Sequence, residues 1–307
     1  QVSQPISYID ELRSSGFDTV IIWTIHIEDN YALNWNFVDA LVDANGNYVG
    51  GQGMVDRIAR LKQSPTGVNR IEFGIGSASG GQFNKIRDHY NTYGGFPVGS
   101  PLYNAFKKLK ETFPFVDAIN NDDEVTYDVA STVSFTKMLA SLGFKNAIVP
   151  YRNASSYWGQ VVSQVNSAYP GNVDRNYIQC YAGGGSNNPC QSQWNFGITN
   201  VGGLWGGSGQ DTPQQVTNTM VGWKDTCGFN GGFMWLYDNF KNSAQSYADA
   251  INQVSFNSAC YGPTPFVASK GTSNINLGWY DVGANSHYIY VKPNGGSWYL
   301  AANGITG

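Results

Sequence analysis

Segments of apolar, β-branched residues alternate with amphipathic segments along most of the chain. The apolar segments predict buried strands and the amphipathic segments predict helices, an order typical of α/β folds built on a parallel sheet. Seven strands are predicted, at residues 19–25, 70–75, 115–124, 145–150, 177–181, 201–205 and 232–237. Helices are predicted at residues 8–15, 101–112, 127–142, 155–168, 212–223 and 243–254.

This alternation predicts a (β/α)8 barrel of the TIM type over residues 1–260. The eighth strand is expected between residues 31 and 49, although Asn45-Gly46 in that segment predicts a hairpin turn. An open, doubly wound sheet is the main alternative. No glycine-rich phosphate-binding motif follows the first strand, which argues against a nucleotide-binding fold.

The pattern changes after Cys260. Residues 274–280 and 288–292 alternate between polar and apolar side chains, as two antiparallel strands joined through Gly283-Ala-Asn285 would. Asn294-Gly-Gly296 predicts a further hairpin turn. Residues 261–307 are therefore predicted to form a small β appendage, either packed on the barrel or part of a module that is cut short.

The segment from Phe115 to Glu124 begins apolar and ends in three consecutive acids. Side chains alternate along a strand, so Asn120, Asp122 and Glu124 share one face, with neighbours on that face roughly 6–7 Å apart. Barrels of this type present catalytic acids at the carboxyl ends of their strands. Because nearby like charges raise at least one pKa, such a pair suits general acid catalysis near neutral pH. The alternative is a solvated or cation-binding acidic loop.

Composition narrows the classes of partner. The 307 residues suit one large domain, or one domain with a small appendage. Charged residues make up 13% and aromatic residues 14%, with 9 Trp, 19 Tyr and a net charge of -4. No basic surface for nucleic acid is expected, whereas many Trp and Tyr rings suit stacking on sugars. No apolar run reaches the roughly 18 residues of a membrane span. The 3 His residues show no paired spacing that would suggest a metal site.

Four cysteines, Cys180, Cys190, Cys227 and Cys260, match no zinc template. Their even number favours two disulfides in an oxidising compartment, and hence a secreted protein. On proximity in sequence we prefer the pairs Cys180–Cys190 and Cys227–Cys260, but the connectivity stays open, as does the alternative of four free thiols. Asn153-Ala-Ser is a single acceptor sequon for N-glycosylation.

Four motifs, in chain order, resemble the strand ends of the family-18 glycoside hydrolases, the chitinases and endo-β-N-acetylglucosaminidases. That family carries a Ser-x-Gly-Gly-like strand end, then Asp-x-x-Asp-x-Asp-x-Glu, then a strand with an inward Tyr, and a last strand with a Trp. The corresponding features are Gly74-Ile-Gly-Ser-Ala-Ser-Gly-Gly81, Asp117-Ala-Ile-Asn-Asn-Asp-Asp-Glu124, Tyr181, and Trp235 followed by Asp238. The resemblance covers roughly residues 16 to 255, and its second motif is the specific one.

The resemblance implies a retaining glycosidase that cleaves a β-linked N-acetylhexosamine glycan without a protein nucleophile. Glu124 would protonate the leaving oxygen, and Asp122 would orient the acetamido group of the substrate, whose carbonyl oxygen attacks the anomeric carbon. The Tyr181 hydroxyl would hold the acetamido group, and Trp235 would form the floor of the sugar site. The alternatives are a core tyrosine with a satisfied hydroxyl for Tyr181 and packing inside the barrel for Trp235. No cofactor is implied. We expect a monomer whose partner is a glycan.

Further residues are candidates for substrate binding, with packing roles as the alternative for the aromatic ones. Gln179 shares a face with Tyr181 and is expected to bond a sugar hydroxyl. The others are at or near strand ends, where loops carry substrate contacts: Trp23, Asn120, Trp205, Tyr237 and Asp238.

The chain departs from the family pattern at three positions. Asn120 replaces the middle Asp and removes a charge next to Asp122, and Asn121 stands where an outward apolar residue is usual. Phe233 stands where Met is expected. Two alternatives therefore stay open. One is a sugar-binding lectin without activity. The other is a glycosidase without acetamido assistance, which needs a second carboxylate, Asp238 or Glu28, about 5 Å from the acid if retaining or ~6.5–9.5 Å if inverting.

Overall fold

The structure is a computed structural model that describes residues 5–77, 81–229 and 231–256, together with four strands between residues 267 and 305. None of the helices in this described part of the chain has the length and apolar character needed to span a membrane.

The main element is a nine-stranded sheet with the order β3-β2-β1-β4-β5-β6-β7-β8-β9. Strands β1 and β4 to β9 run parallel, and β2 and β3 form an antiparallel hairpin on the edge at β1. The strands are β1 (Thr19–Ile27), β2 (Leu33–Trp35), β3 (Asp39–Val42), β4 (Arg70–Gly76), β5 (Ala118–Asp122), β6 (Lys145–Ile148), β7 (Val173–Gln179), β8 (Thr199–Trp205) and β9 (Gly232–Trp235).

The parallel α/β architecture is confirmed, but the closed eight-stranded barrel is not. Among the described strands no pairing joins β9 to β1, so the sheet is not closed. The segment in which the eighth parallel strand was expected forms the β2–β3 hairpin instead. Asn36 and Phe37, both with positive φ, reverse the chain between these two strands. A connection this short can join only antiparallel strands, because parallel neighbours need a crossover of about a dozen residues.

Helices follow most of the parallel strands, as the alternating pattern predicts. They are α1 (Ile6–Ser14), α2 (Gln52–Arg60), α3 (Gln82–Tyr93), α4 (Pro101–Thr112), α5 (Val129–Ser141), α6 (Ser155–Ala168), α7 (Pro213–Cys227), α8 (Tyr237–Phe240) and α9 (Ala244–Phe256). Start and stop residues define several of them. In α7, a Thr212–Gln215 capping box and Pro213 begin the helix, and Gly228 ends it in the left-handed conformation. Helices α2 and α3 were not predicted.

The two faces of the sheet have different environments. Outward side chains such as Ile71, Phe73 and Ile119 join the largest apolar core. The inward side chains include both apolar and polar groups. Tyr177 packs with Ala147 there, and charged and amide groups share the same interior. Every residue of β4 and β5 is buried, as expected for parallel strands covered on both faces.

The C-terminal segment contains two separate antiparallel pairs, β10 (Val267–Lys270) with β11 (Ile275–Gly278) and β12 (His287–Val291) with β13 (Tyr299–Ile305). Its predicted β character is therefore confirmed. The partners differ from those expected, because residues 275–278 pair with the preceding strand and not with residues 287–291. The predicted turn at 294–296 lies outside the described residues.

A disulfide joins Cys190 to Cys227, which have a sequence separation of 37 and whose Cα atoms lie 5.4 Å apart. Both preferred pairs were therefore wrong, although the prediction of a disulfide holds. Tertiary packing decides the pairing, because the loop after β7 lies against the end of α7, where both sulfurs approach the carbonyl oxygen of Trp223. Cys180 is a free thiol whose burial raises its pKa to about 12. Cys260 lies outside the described residues.

Candidate active site

The carboxyl ends of the parallel strands surround a cavity of about 800 Å³. Side chains there come from strands far apart in sequence, since parallel strands end at the same edge of a sheet. All of the residues predicted for the site line this one cavity: Trp23, Asn120, Asp122, Glu124, Gln179, Tyr181, Trp205, Trp235, Tyr237 and Asp238.

The lining of the cavity is mixed. The acids and amides predicted for the site lie at the carboxyl ends of β5 and β7, which form the mouth of the cavity. Elsewhere the lining includes apolar residues, such as Ile9, Leu12 and Phe17, together with Asp18 and Arg57.

Asp122 and Glu124 form a pair at the mouth. The Gln179 side chain donates from Nε2 to Asp122 Oδ1 at 3.0 Å and to Glu124 Oε1 at 3.2 Å. Glu124 and the Trp23 indole also interact with the Asp122 carboxyl group. The side chains of Asp122 and Glu124 therefore point to the same side, as predicted.

The environment of Asp122 favours its protonated form. Burial raises the pKa of Asp122 well above its usual range, and the neighbouring Glu124 raises it further, while the Trp23 indole acts in the opposite direction. Since the two groups interact so closely, their titration belongs to the pair. A raised pKa of this kind suits a general acid better than the ordinary pKa of a carboxyl group does.

The end of β4 fixes the backbone of Asp122. Ser77 donates its backbone N–H to the Asp122 carbonyl oxygen at 2.9 Å. Gly76, with φ +114°, lies so close that a Cβ atom there would be 2.0 Å from the same oxygen. Only glycine permits this approach. The Gly-Ser strand end therefore positions the acid, and residues 78–80 of this motif lie outside the described residues.

Asp123 anchors the loop that begins after Glu124. Its fully buried carboxylate accepts the backbone N–H groups of residues 125, 126 and 127 at 3.1, 2.8 and 2.7 Å. The Tyr157 hydroxyl donates to it at 2.9 Å. Burial raises the pKa of Asp123, and these bonds oppose the rise. Glu124 is thus held between a fixed strand and a fixed turn.

Aromatic rings form the walls around the pair. The Tyr181 ring lies parallel to that of Trp235, with centroids 6.4 Å apart, and edge-on to Trp205 at 6.3 Å. Trp23 meets Trp235 edge-on at 4.8 Å. Burial raises the pKa of Tyr181 well above its usual range, so its hydroxyl stays neutral. Flat rings beside a neutral hydroxyl provide both stacking area and a hydrogen-bonding group for a sugar.

The chain matches no known family model and no curated protein. Within the described ranges, no group of three or more His, Cys, Asp or Glu side chains has the arrangement of a metal site.

The remaining predicted residues differ in what their polar groups do. The Tyr237 hydroxyl donates to the Glu11 carboxylate and approaches the Tyr8 carbonyl oxygen at 3.3 Å, so it faces α1. The Asp238 Oδ1 atom lies 4.0 Å from Lys241 Nζ. Glu28 accepts a bond from the Asn34 side chain and is not among the described residues that line the cavity. Of the two candidates for a second carboxylate, Asp238 is the one in the cavity.

Several residues near the pair were not singled out from the sequence. Tyr151, which lines the cavity, accepts the backbone N–H of Gly183 at 3.0 Å through its hydroxyl. Glu72 lies below the mouth, buried on the inward face of β4. One signal could have identified Glu72, since Arg70 and Glu72 alternate with apolar residues in a strand expected to be buried.

Proposed function

We propose that this protein is a secreted, retaining glycoside hydrolase that cleaves a β-linked glycan containing N-acetylhexosamine. The observation that carries the proposal is the Asp122–Glu124 pair, whose two carboxyl groups are bridged by Gln179 at the mouth of an aromatic-lined cavity. The strand-end motifs in which these residues occur support the same activity.

In this mechanism Glu124 donates its proton to the glycosidic oxygen as the bond from that oxygen to the anomeric carbon breaks. The carbonyl oxygen of the substrate's own acetamido group attacks the anomeric carbon and forms a cyclic intermediate. Water then attacks the same carbon and reopens the ring, while Glu124 takes a proton from this water. Two inversions leave the product with retained configuration, and Glu124 is again protonated.

Asp122 supports the attack of the acetamido group. As an anion it accepts the acetamido N–H and stabilises the positive charge that develops on the ring being formed. The pair holds one proton before substrate binds. Glu124 can therefore carry and donate that proton while Asp122 is ionised. We assign Tyr181 to hold the acetamido group and Trp235 to stack under the sugar ring.

The fold and location belong to the same proposal. The edge-on contact of Trp23 in β1 with Trp235 in β9 supports a barrel-like arrangement of the (β/α)8 type. The Cys190–Cys227 disulfide is compatible with an extracellular protein.

The test is incubation with chitin oligosaccharides and with high-mannose glycopeptides. The Glu124→Gln variant should lose turnover by about 10²–10⁴-fold, because it cannot donate a proton. Glu28→Gln is the matched control, since this carboxylate lies outside the cavity lining and its loss should leave turnover within about twofold of wild type. Binding without turnover in wild type would contradict the proposal and indicate a lectin.

A second candidate rests on Asp238, a carboxylate that lines the same cavity. In a glycosidase without acetamido assistance, Asp238 would be the nucleophile or the base. Turnover restricted to sugars without an acetamido group, and abolished by Asp238→Asn, would favour this candidate.

A further inference from the structure

A buried polar cluster lies directly below the acid pair, on the inward faces of β4, β5 and β7. Glu72, with 0% of its surface exposed, is at its centre. One carboxylate oxygen, Oε1, accepts from Arg70 Nε at 2.6 Å and from the Tyr177 hydroxyl at 2.9 Å. The other oxygen, Oε2, accepts from Asn120 Nδ2 at 2.8 Å.

The negative charge of Glu72 is compensated by a neighbouring arginine. Arg70 binds Glu72 through Nε and binds both oxygens of Asp174 through its two terminal nitrogens, at 2.6 and 2.8 Å. A buried carboxylate of this kind is stable only when it is paired and fully hydrogen-bonded. The bond from Asn120 therefore completes the set of partners around Oε2, and it links the cluster to the strand that carries the acid pair.

Asn120 has a side-chain amide with two different ends, and Glu72 can accept only from the nitrogen end. Asn120 and Asp122 are two residues apart on one strand, share its inward face and line the same cavity. With the nitrogen held by Glu72, the oxygen is the end of the amide turned away from Glu72. A partly negative amide oxygen near Asp122 disfavours the anion of Asp122, whereas a nitrogen in the same place would favour it.

We propose that Glu72 is a positioning residue, which fixes the amide of Asn120 and thereby helps to keep the proton on the Asp122–Glu124 pair. This role deepens the proposed function and depends on it for its catalytic meaning. It also accounts for the amide at position 120, because a carboxylate there would face the buried carboxylate of Glu72 at hydrogen-bonding distance.

Other titratable and charged groups also influence the protonation of the Asp122–Glu124 pair. Those that interact electrostatically with Asp122 include Glu124 and Asp123 on its own segment, Tyr127 on the following loop and Tyr181 beyond β7. The groups around Glu72 are Arg70, Asp174, Tyr177 and Arg175, the last of which bonds the Tyr177 hydroxyl at 3.0 Å.

The test follows the titration of the acid pair by carbon-13 NMR of protein labelled at the Asp and Glu carboxyl carbons, without substrate. Glu72→Gln removes a negative charge and frees the Asn120 amide to turn, and both changes favour the anion of Asp122. The titration midpoint of the pair should therefore fall by on the order of one pH unit. Asp174→Asn is the matched control, because it removes a carboxylate from the same guanidinium without touching Asn120, and it should shift the midpoint far less.

Three more variants keep the test decisive if Glu72→Gln does not fold. Asn120→Ala leaves the bonds of Glu72 to Arg70 and Tyr177 intact, removes the amide oxygen from the face shared with Asp122, and should lower the midpoint in the same direction. Asn120→Asp alone should lower the melting temperature, since it opposes two carboxylates. The double variant Glu72→Gln with Asn120→Asp should recover part of that loss, because the bond re-forms with its polarity reversed.

A midpoint unchanged in folded Glu72→Gln or Asn120→Ala, or moved as far by Asp174→Asn, would overturn the inference. Because the titration needs no substrate, its outcome is separate from that of the activity assay. Shifted midpoints in a protein that cleaves no glycan would leave this positioning role standing and remove the proposed function.

Discussion

The pKa of Asp122 makes the stability of the protein depend on pH in a direction unusual for an acid. Burial and Glu124 raise this pKa above its ordinary value of 3.8, so the folded protein binds the proton more tightly than the unfolded chain does. The stabilisation that comes from this tighter proton binding is complete at pH values below the ordinary pKa of 3.8. It is lost as pH rises through the raised pKa of the folded protein. Within that window, one such proton changes the free energy of unfolding by about 1.4 kcal/mol per pH unit.

Replacing Asp122 with Asn removes the buried charge and keeps an oxygen that can accept from Gln179, whose present bond is 3.0 Å long. For a chain of this size, roughly 2 °C of melting temperature corresponds to 1 kcal/mol. The wild-type melting temperature should therefore fall by about 3 °C per pH unit through the window. The Asp122→Asn variant should lose that slope and should be the more stable protein at pH 8.

The assay is thermal unfolding of both proteins from pH 4 to pH 9, followed by circular dichroism. Asp29→Asn is the control, because Asp29 is an exposed carboxylate whose pKa is lowered by Lys85, the opposite direction. Its loss should leave the slope above pH 5 unchanged. An Asp122→Asn protein with the wild-type slope, or one less stable at pH 8, would refute the electrostatic account of the pair.

Three further predictions concern the support of the site. Gly76→Ala should lower the melting temperature sharply, because its Cβ would lie 2.0 Å from the Asp122 carbonyl oxygen, whereas Gly53→Ala, in open space within α2, should change it little or raise it. Tyr157→Phe should reduce stability by about 1–3 kcal/mol and slow turnover, since Asp123 loses its hydroxyl donor; unchanged turnover would contradict a role for this loop in holding Glu124. Reduction of the disulfide that closes 37 residues should cost about 4 kcal/mol, measured by denaturant unfolding with and without reductant.

The sequence was most informative where local chemistry decides the structure. Helices α4 and α6 begin and end at the predicted residues. For α4, Pro101 stands at the first helical position, where a missing N–H has no cost. The convergence of Asp122, Glu124 and Gln179 followed from strand alternation and from the common direction of parallel strands. These are properties of one strand or of neighbouring strands, and both can be worked out without the rest of the fold.

The errors arose where distant parts of the chain decide the structure. Closure of the sheet depends on how β9 meets β1, and no local pattern encodes that contact. The disulfide partners Cys190 and Cys227 are brought together by packing of a loop on α7, so proximity in sequence was misleading. The partners of Glu72 belong to three strands, and its role could not be inferred from β4 alone.

The most direct test of the central claim is proton NMR of the anomeric signals during cleavage of a chitin oligosaccharide. Catalysis by the Asp122–Glu124 pair with acetamido assistance predicts that the β-anomer of the new reducing end appears first and that the Glu124→Gln protein releases none. Initial release of the α-anomer, or equal cleavage by the variant, would contradict it.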